Sequence, residues 1–140
     1  MLKNKFQEAS VGASAHQNNK RQYSIGEFSQ ISKLSIHTLR YYEKEKLLAP
    51  IRSENNRRCY SANDLAWLEF ILRLKATGMP LKEIKLYADM RRQGQGTLAM
   101  RLAMLLEHQE NLSKQIATLL EHKAKLQEKI KFYEEEIKKL

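Results

Sequence analysis

The chain has 140 residues, a formal net charge of +9 and a single cysteine. That length holds one compact domain and a long helix. Cys59 alone excludes an intramolecular disulfide framework and suits a reducing cytoplasm, and no apolar run approaches a membrane span. The charge is uneven: +2 over residues 1–20, +6 over 21–96 and +1 over 97–140. A polyanion is therefore the expected partner of the compact part, nucleic acid first and an anionic membrane surface second.

The first twenty residues lack the apolar core of a secretory signal. Residues 1–21 are expected to form a flexible polar arm that either touches DNA phosphates or has no role. Ser24 with Glu27 makes a capping box ahead of Ile25, Phe28 and Ile31, which predicts a short helix running through about Ser32. Ser35 caps the next helix, with Ile36, Leu39 and Tyr42 on its inward face. Two helices this close together form a helix-turn-helix. Pro50 bars any helical continuation, and the basic stretch Ile51–Tyr60 centres on Asn55-Asn56. Because Asn tolerates the left-handed backbone, this stretch reads as a small hairpin with Arg57 and Arg58 on its return strand.

Ser61 with Asp64 makes a second capping box, opening a third helix that buries Leu65, Leu68, Ile71 and Leu72 and stops near Gly78. Pro80 opens a fourth, with Leu81, Ile84, Tyr87 and Ala88 inward. Gly94 and Gly96 form a joint before Thr97 caps the last helix. There a heptad register runs unbroken through Leu98, Leu102, Leu105, Gln109, Leu112, Ile116, Leu119, Lys123, Leu126, Ile130, Tyr133, Ile137 and Leu140. A stripe this narrow is buried by a second identical helix rather than by a small domain. A homodimer is therefore expected, joined through Leu98, Leu102, Leu105, Leu112, Ile116, Leu119, Leu126 and Ile130. Gln109 and Lys123, the polar breaks in the seam, set its register, unless Lys123 extends out to solvent.

Leu34-Ser35-Ile36-His37-Thr38-Leu39-Arg40-Tyr41-Tyr42-Glu43, followed by Leu47-Leu48 and Pro50, is similar to the recognition-helix signature of the MerR family of bacterial transcription regulators. Arg58-Cys59-Tyr60 with Asp64-Leu65, Leu68 and Ile71 resembles the wing return and third helix, and Gly78–Ile84 the turn into the fourth. The resemblance covers about residues 22 to 92 in detail and the long helix in kind. It implies an all-α fold: a winged helix-turn-helix DNA-binding domain with a small β-hairpin wing, followed by a long antiparallel coiled-coil dimerisation helix. It also implies a cytoplasmic homodimer that binds an inverted repeat in a promoter and, on a signal, distorts the double-stranded DNA for RNA polymerase. The expected division is an arm at 1–21, the DNA-binding domain at 22–93 and the dimerisation helix at 94–140.

Arg40 occupies the family's exposed recognition-helix position, where it pairs with a guanine edge or a phosphate, or internally with Glu43 or Glu45. Ser35, His37 and Thr38 lie in the first turn, where side chains reach bases, although His37 also reads as a solvated helix residue. Tyr41 is the phosphate ligand and Tyr42 the core residue of that pair. Arg57 and Arg58 clamp the flanking backbone from the wing, or are a solvated basic pair. Tyr60 either places its hydroxyl on a phosphate or packs beneath the wing. Lys82, at the start of the fourth helix, is a further phosphate candidate, and Trp67 reads as a packing residue.

Metal-responsive relatives carry a cysteine where this chain has Thr97 and Leu98. The aldehyde-responsive branch carries one in the third helix, where this chain has Arg73. Cys59 is left as a redox-sensor candidate at the DNA interface, activated by cationic neighbours or else inert. His108 and His122 flank the seam and read as surface residues sooner than as a metal pair. One cysteine, four scattered histidines and no clustered carboxylates offer no catalytic constellation. No enzyme activity, cofactor or resident metal is expected. The competing class is a coiled-coil adaptor whose basic head binds protein or anionic lipid.

Overall fold

The computed structural model describes residues 21–140, so the expected N-terminal arm lies almost entirely outside the described residues. Five helices and one hairpin follow in the expected order: α1 (Ile25–Ser32), α2 (Ile36–Lys44), β1 (Ile51–Arg52), β2 (Arg58–Cys59), α3 (Ala62–Ala76), α4 (Leu81–Gln93) and α5 (Leu98–Lys138). A 3₁₀ turn, Gln95–Thr97, joins the last two. No helix is long and apolar enough to cross a membrane among the described residues.

Local chemistry places the helix starts. At α1, Ser24 N–H donates to Glu27 Oε1 at 3.1 Å, and Glu27 N–H donates back to Ser24 Oγ at 3.1 Å. Ser61 and Asp64 repeat this box at α3, at 2.8 and 3.1 Å. Each pair satisfies backbone donors that a helix start leaves unpaired. Between α1 and α2 the chain reverses through Lys33 in the left-handed region, φ 62°. The wing turns at Asn56, φ 59°, as its residue type predicts. Its strands pair antiparallel with Ile51 opposite Cys59 and Arg52 opposite Arg58. A two-residue bridge extends the wing base: Tyr23 N–H donates to Tyr60 O at 2.7 Å, and Tyr60 N–H to Tyr23 O at 2.8 Å.

The core sits among α1–α4. Phe28, Leu39, Tyr42, Leu48, Leu68, Ile71, Leu74, Ile84 and Ala88 are buried there. Trp67 joins them, and its Nε1–H donates to Leu47 O at 2.7 Å. Its ring lies 6.0 Å from that of Tyr87 and 6.1 Å from that of Phe70, which in turn lies 5.6 Å from Tyr87. Three residues expected inward stay exposed instead: Ile31, Ile36 and Leu81. Each occupies a terminal turn, where the helix face has already run past its neighbours; only the middle of a short helix meets the core.

The start of α5 also departs from expectation. Thr97 does not serve as a simple cap. It is buried, and its hydroxyl lies 2.6 Å from Met90 O and 2.8 Å from Gly94 O. The same oxygen accepts a hydrogen bond from Arg101 Nε at 3.1 Å, while Arg101 Nη2 donates to Gly94 O at 3.1 Å. Gly94 takes φ 93°, ψ −155°, a conformation closed to residues with a Cβ. Arg101 is only 4% exposed and has no carboxylate partner among the described residues. The Thr97 hydroxyl oxygen and the Gly94 carbonyl, at the C-cap of α4 and so at the negative end of that helix, hold its charge. The compact unit accordingly reaches Leu102, beyond the expected division at residue 93. The second unit, Ala103–Leu140, is the remainder of α5. Along this helix Leu102, Ile116, Leu119, Leu126, Ile130 and Ile137 are all exposed, Leu119 at 66%.

Candidate nucleic-acid interface

Helix α2 presents the candidate recognition surface. Ser35 accepts from Thr38 N–H at 3.1 Å, and the two hydroxyls lie 2.8 Å apart, which fixes the first turn. Leu39 and Tyr42 anchor one face in the core. That burial sends His37, Arg40 and Tyr41 outward, all exposed, with Thr38 half-buried beside them. Adjacent in sequence, Tyr41 and Tyr42 thus separate as expected, Tyr41 being 44% exposed.

The exit of α2 is braced on three sides. Glu45 pairs with Lys85 of α4. Arg92, also on α4, donates to Lys46 O, where the chain takes φ 61°. On the wing side, Glu43 Oε1 accepts from Arg52 Nη2 at 3.1 Å and Oε2 accepts from Arg58 Nε. Both carboxylates that were candidate partners for Arg40 are therefore engaged elsewhere. Arg40 itself makes no ion pair among the described residues, which leaves its guanidinium available.

The wing residues divide. Arg57, just before β2, is exposed, with its backbone N–H bonded to Ser53 Oγ at 3.2 Å. Arg58 departs from the expected backbone clamp: its guanidinium turns inward onto Glu43 and is half-buried. Tyr60 also departs from the phosphate reading. It is 1% exposed and stacks on Phe28 at 4.2 Å with the rings 5° from parallel. Its hydroxyl has no partner among the described residues. Burial raises its pKa, and the nearby Glu43 carboxylate adds to that effect. The alternative stated from the sequence, packing beneath the wing, is the one observed.

Cys59 is half-buried on β2, with Sγ 3.8 Å from Arg57 O. Lys82 is exposed in the first turn of α4. Among the described residues, no cluster of three His, Cys, Asp or Glu side chains is placed to hold a metal ion.

Sequence reasoning missed Glu43, Arg52, Lys85, Arg92 and Arg101. Glu43 lies inside the recognition-helix signature, where the sequence suggests only a partner for Arg40. Like charges facing each other across a hairpin, Arg52 and Arg58, were the available signal that an acid stood between them. Around the core, Arg91 places its guanidinium 4.2 Å above the Trp67 ring, and its burial lowers its pKa.

A capped recognition helix, a basic wing and a braced core define a winged helix-turn-helix transcription regulator. A family profile described as "MerR HTH family regulatory protein" matches residues 23–91, and a second, "MerR, DNA binding", matches residues 65–129. The chain is 35% identical to an uncharacterized HTH-type transcriptional regulator of Haemophilus influenzae, over 81% of this chain and 84% of that one. Its fold is similar to the crystal structure of HiNmlR, a MerR family regulator lacking the sensor domain, bound to promoter DNA. That likeness has a TM-score of 0.75 at 34% identity, covering 82% of this chain and 92% of the other. A MerR family regulator from Bacillus thuringiensis matches with a TM-score of 0.69 at 32% identity, covering 79% and 97%. The chain belongs to the MerR family, whose members are transcription regulators and not enzymes.

Proposed function

We propose that this regulator acts as a homodimer that reads an inverted repeat in a promoter and distorts it. The observation that carries the reading is the unpaired, exposed Arg40 on the capped face of α2, with the basic wing following it in the chain. In this reading Arg40, His37 and Thr38 meet base edges in the major groove, with Ser35 fixing their turn. Tyr41, Arg57 and Lys82 grip phosphates. A similar regulator solved on promoter DNA supports the choice of ligand.

Two copies joined along the apolar stripe of α5 carry two copies of α2, which calls for a two-fold symmetric site. Bending a duplex to meet both costs on the order of 1–6 kcal/mol, which phosphate contacts offset. In such a complex RNA polymerase is the downstream partner. The signal is an oxidant or electrophile acting on Cys59, the chain's only thiol. Cys59→Ser should then abolish the promoter response to such agents, and an intact response would end that part.

Hydroxyl-radical footprinting on a duplex selected in vitro tests the main reading. Two protected patches related by a dyad are expected. Uniform, sequence-independent protection would favour a basic-headed adaptor instead.

A further inference from the structure

One carboxylate on α2 holds both strands of the wing. Arg52 and Arg58 face each other as a cross-strand pair, an arrangement that like charges alone destabilise. Glu43 receives one of them on each oxygen, at 3.1 Å for Arg52. Arg52 also reaches the carbonyl of Asn56, the left-handed residue at the wing tip, at 3.4 Å. The Glu43 and Arg58 side chains are each 24% exposed, so solvent screens this fork only in part. To a polyanion the three side chains together show one positive charge.

We propose that Glu43 is a positioning residue for DNA recognition, an internal stand-in for phosphate that withholds Arg52 and Arg58 from the DNA backbone and fixes the wing against α2. The proposal rests on the reading of α2 and the wing as the DNA-contacting surface. Its logic is that phosphate contacts carry no sequence information. Two arginines free to grip any backbone would strengthen binding to every duplex and let the wing settle in several offsets. Held by Glu43, they leave the wing's phosphate contact to Arg57 and keep one spacing between it and Arg40. The carboxylate thus lowers raw affinity and raises discrimination.

The test uses the full chain and two probes: a duplex selected in vitro by the wild-type chain, and a random-sequence duplex. Glu43→Gln keeps the shape and removes the charge. Its salt slope on the random duplex should steepen by about 0.9 for each released arginine that takes a phosphate, worth about 3.5-fold in affinity over a roughly fourfold change in salt. The ratio of selected to random affinity should fall. A folded Glu43→Gln chain with an unchanged slope and ratio overturns the proposal. If Glu43→Gln does not fold, Arg58→Met decides. The slope should stay at the wild-type value because Arg58 is already engaged, and a slope shallower by about 0.9 per protomer overturns the proposal. A wild-type chain that selects no duplex over random sequence would overturn the underlying DNA reading as well.

Discussion

Arginines are held in two contrasting ways in this protein. At the wing, Arg52 and Arg58 share the carboxylate of Glu43 near the surface. At the joint between α4 and α5, Arg101 is buried and held by neutral oxygens: Thr97 Oγ1, the Gly94 carbonyl and the Tyr87 hydroxyl. The Glu43 carboxylate offers these guanidiniums the charged oxygens that a phosphate would offer, and so occupies them. The Arg101 guanidinium is 4% exposed and is bound only to uncharged oxygens. The first arrangement ties the wing to α2, while the second ties the first turn of α5 to the end of α4.

Mutation of each arrangement should separate these roles. Arg101→Ala is expected to have the largest effect on stability, about 2–4 kcal/mol. It removes the guanidinium's hydrogen bonds to Thr97 Oγ1 and Gly94 O and leaves a void among packed side chains. Thermal or urea unfolding measures this, and a loss within error would show that the joint does not depend on Arg101.

At the recognition surface, Arg40→Ala should weaken binding to the selected duplex by about 1–3 kcal/mol with little change in stability. Retained affinity would remove Arg40 from the contact set. Tyr60→Phe sharpens the contrast: it deletes an unpartnered buried hydroxyl, so stability should hold or rise by up to about 1 kcal/mol and DNA affinity should not change. Loss of affinity would restore Tyr60 as a phosphate ligand.

The smallest effect lies at the α1 cap. Glu27 has a lowered pKa because it accepts the Ser24 backbone N–H, with the Ser24 hydroxyl contributing next. A depressed carboxylate stabilises the fold fully above the ordinary pKa, and that contribution fades as pH falls through the lower folded value. The stability gap between wild type and Glu27→Ala should thus be constant above pH 4.5 and shrink below it. A gap that widens on acidification would contradict the capping account.

The sequence carried the local chemistry well. Ser24, Ser35 and Ser61 marked helix starts, Asn56 marked the wing tip, and Leu39 with Tyr42 fixed which side of α2 faces out. These depend on neighbours within a few residues, which a linear reading can reach. What it did not carry are contacts between distant segments. The Tyr23–Tyr60 bridge, the Glu43 fork and the bond from Arg92 to the Lys46 carbonyl each join residues that no periodicity connects. Thr97 departs from its expected role for the same reason. Its residue type suits a cap, but Arg101 and the end of α4 recruit its hydroxyl first. Periodicity also overcounted the core, since it assigns Ile31, Ile36 and Leu81 to a face without knowing where the neighbouring helix stops.

The DNA reading depends above all on α5 covering its exposed leucines and isoleucines with a second copy of itself. Sedimentation equilibrium at micromolar concentration tests this directly. The account predicts a single species of twice the 16.4 kDa chain mass, reduced to one chain by Leu119→Asp, a charge in the middle of the seam. A wild-type protein that sediments as single chains would contradict it.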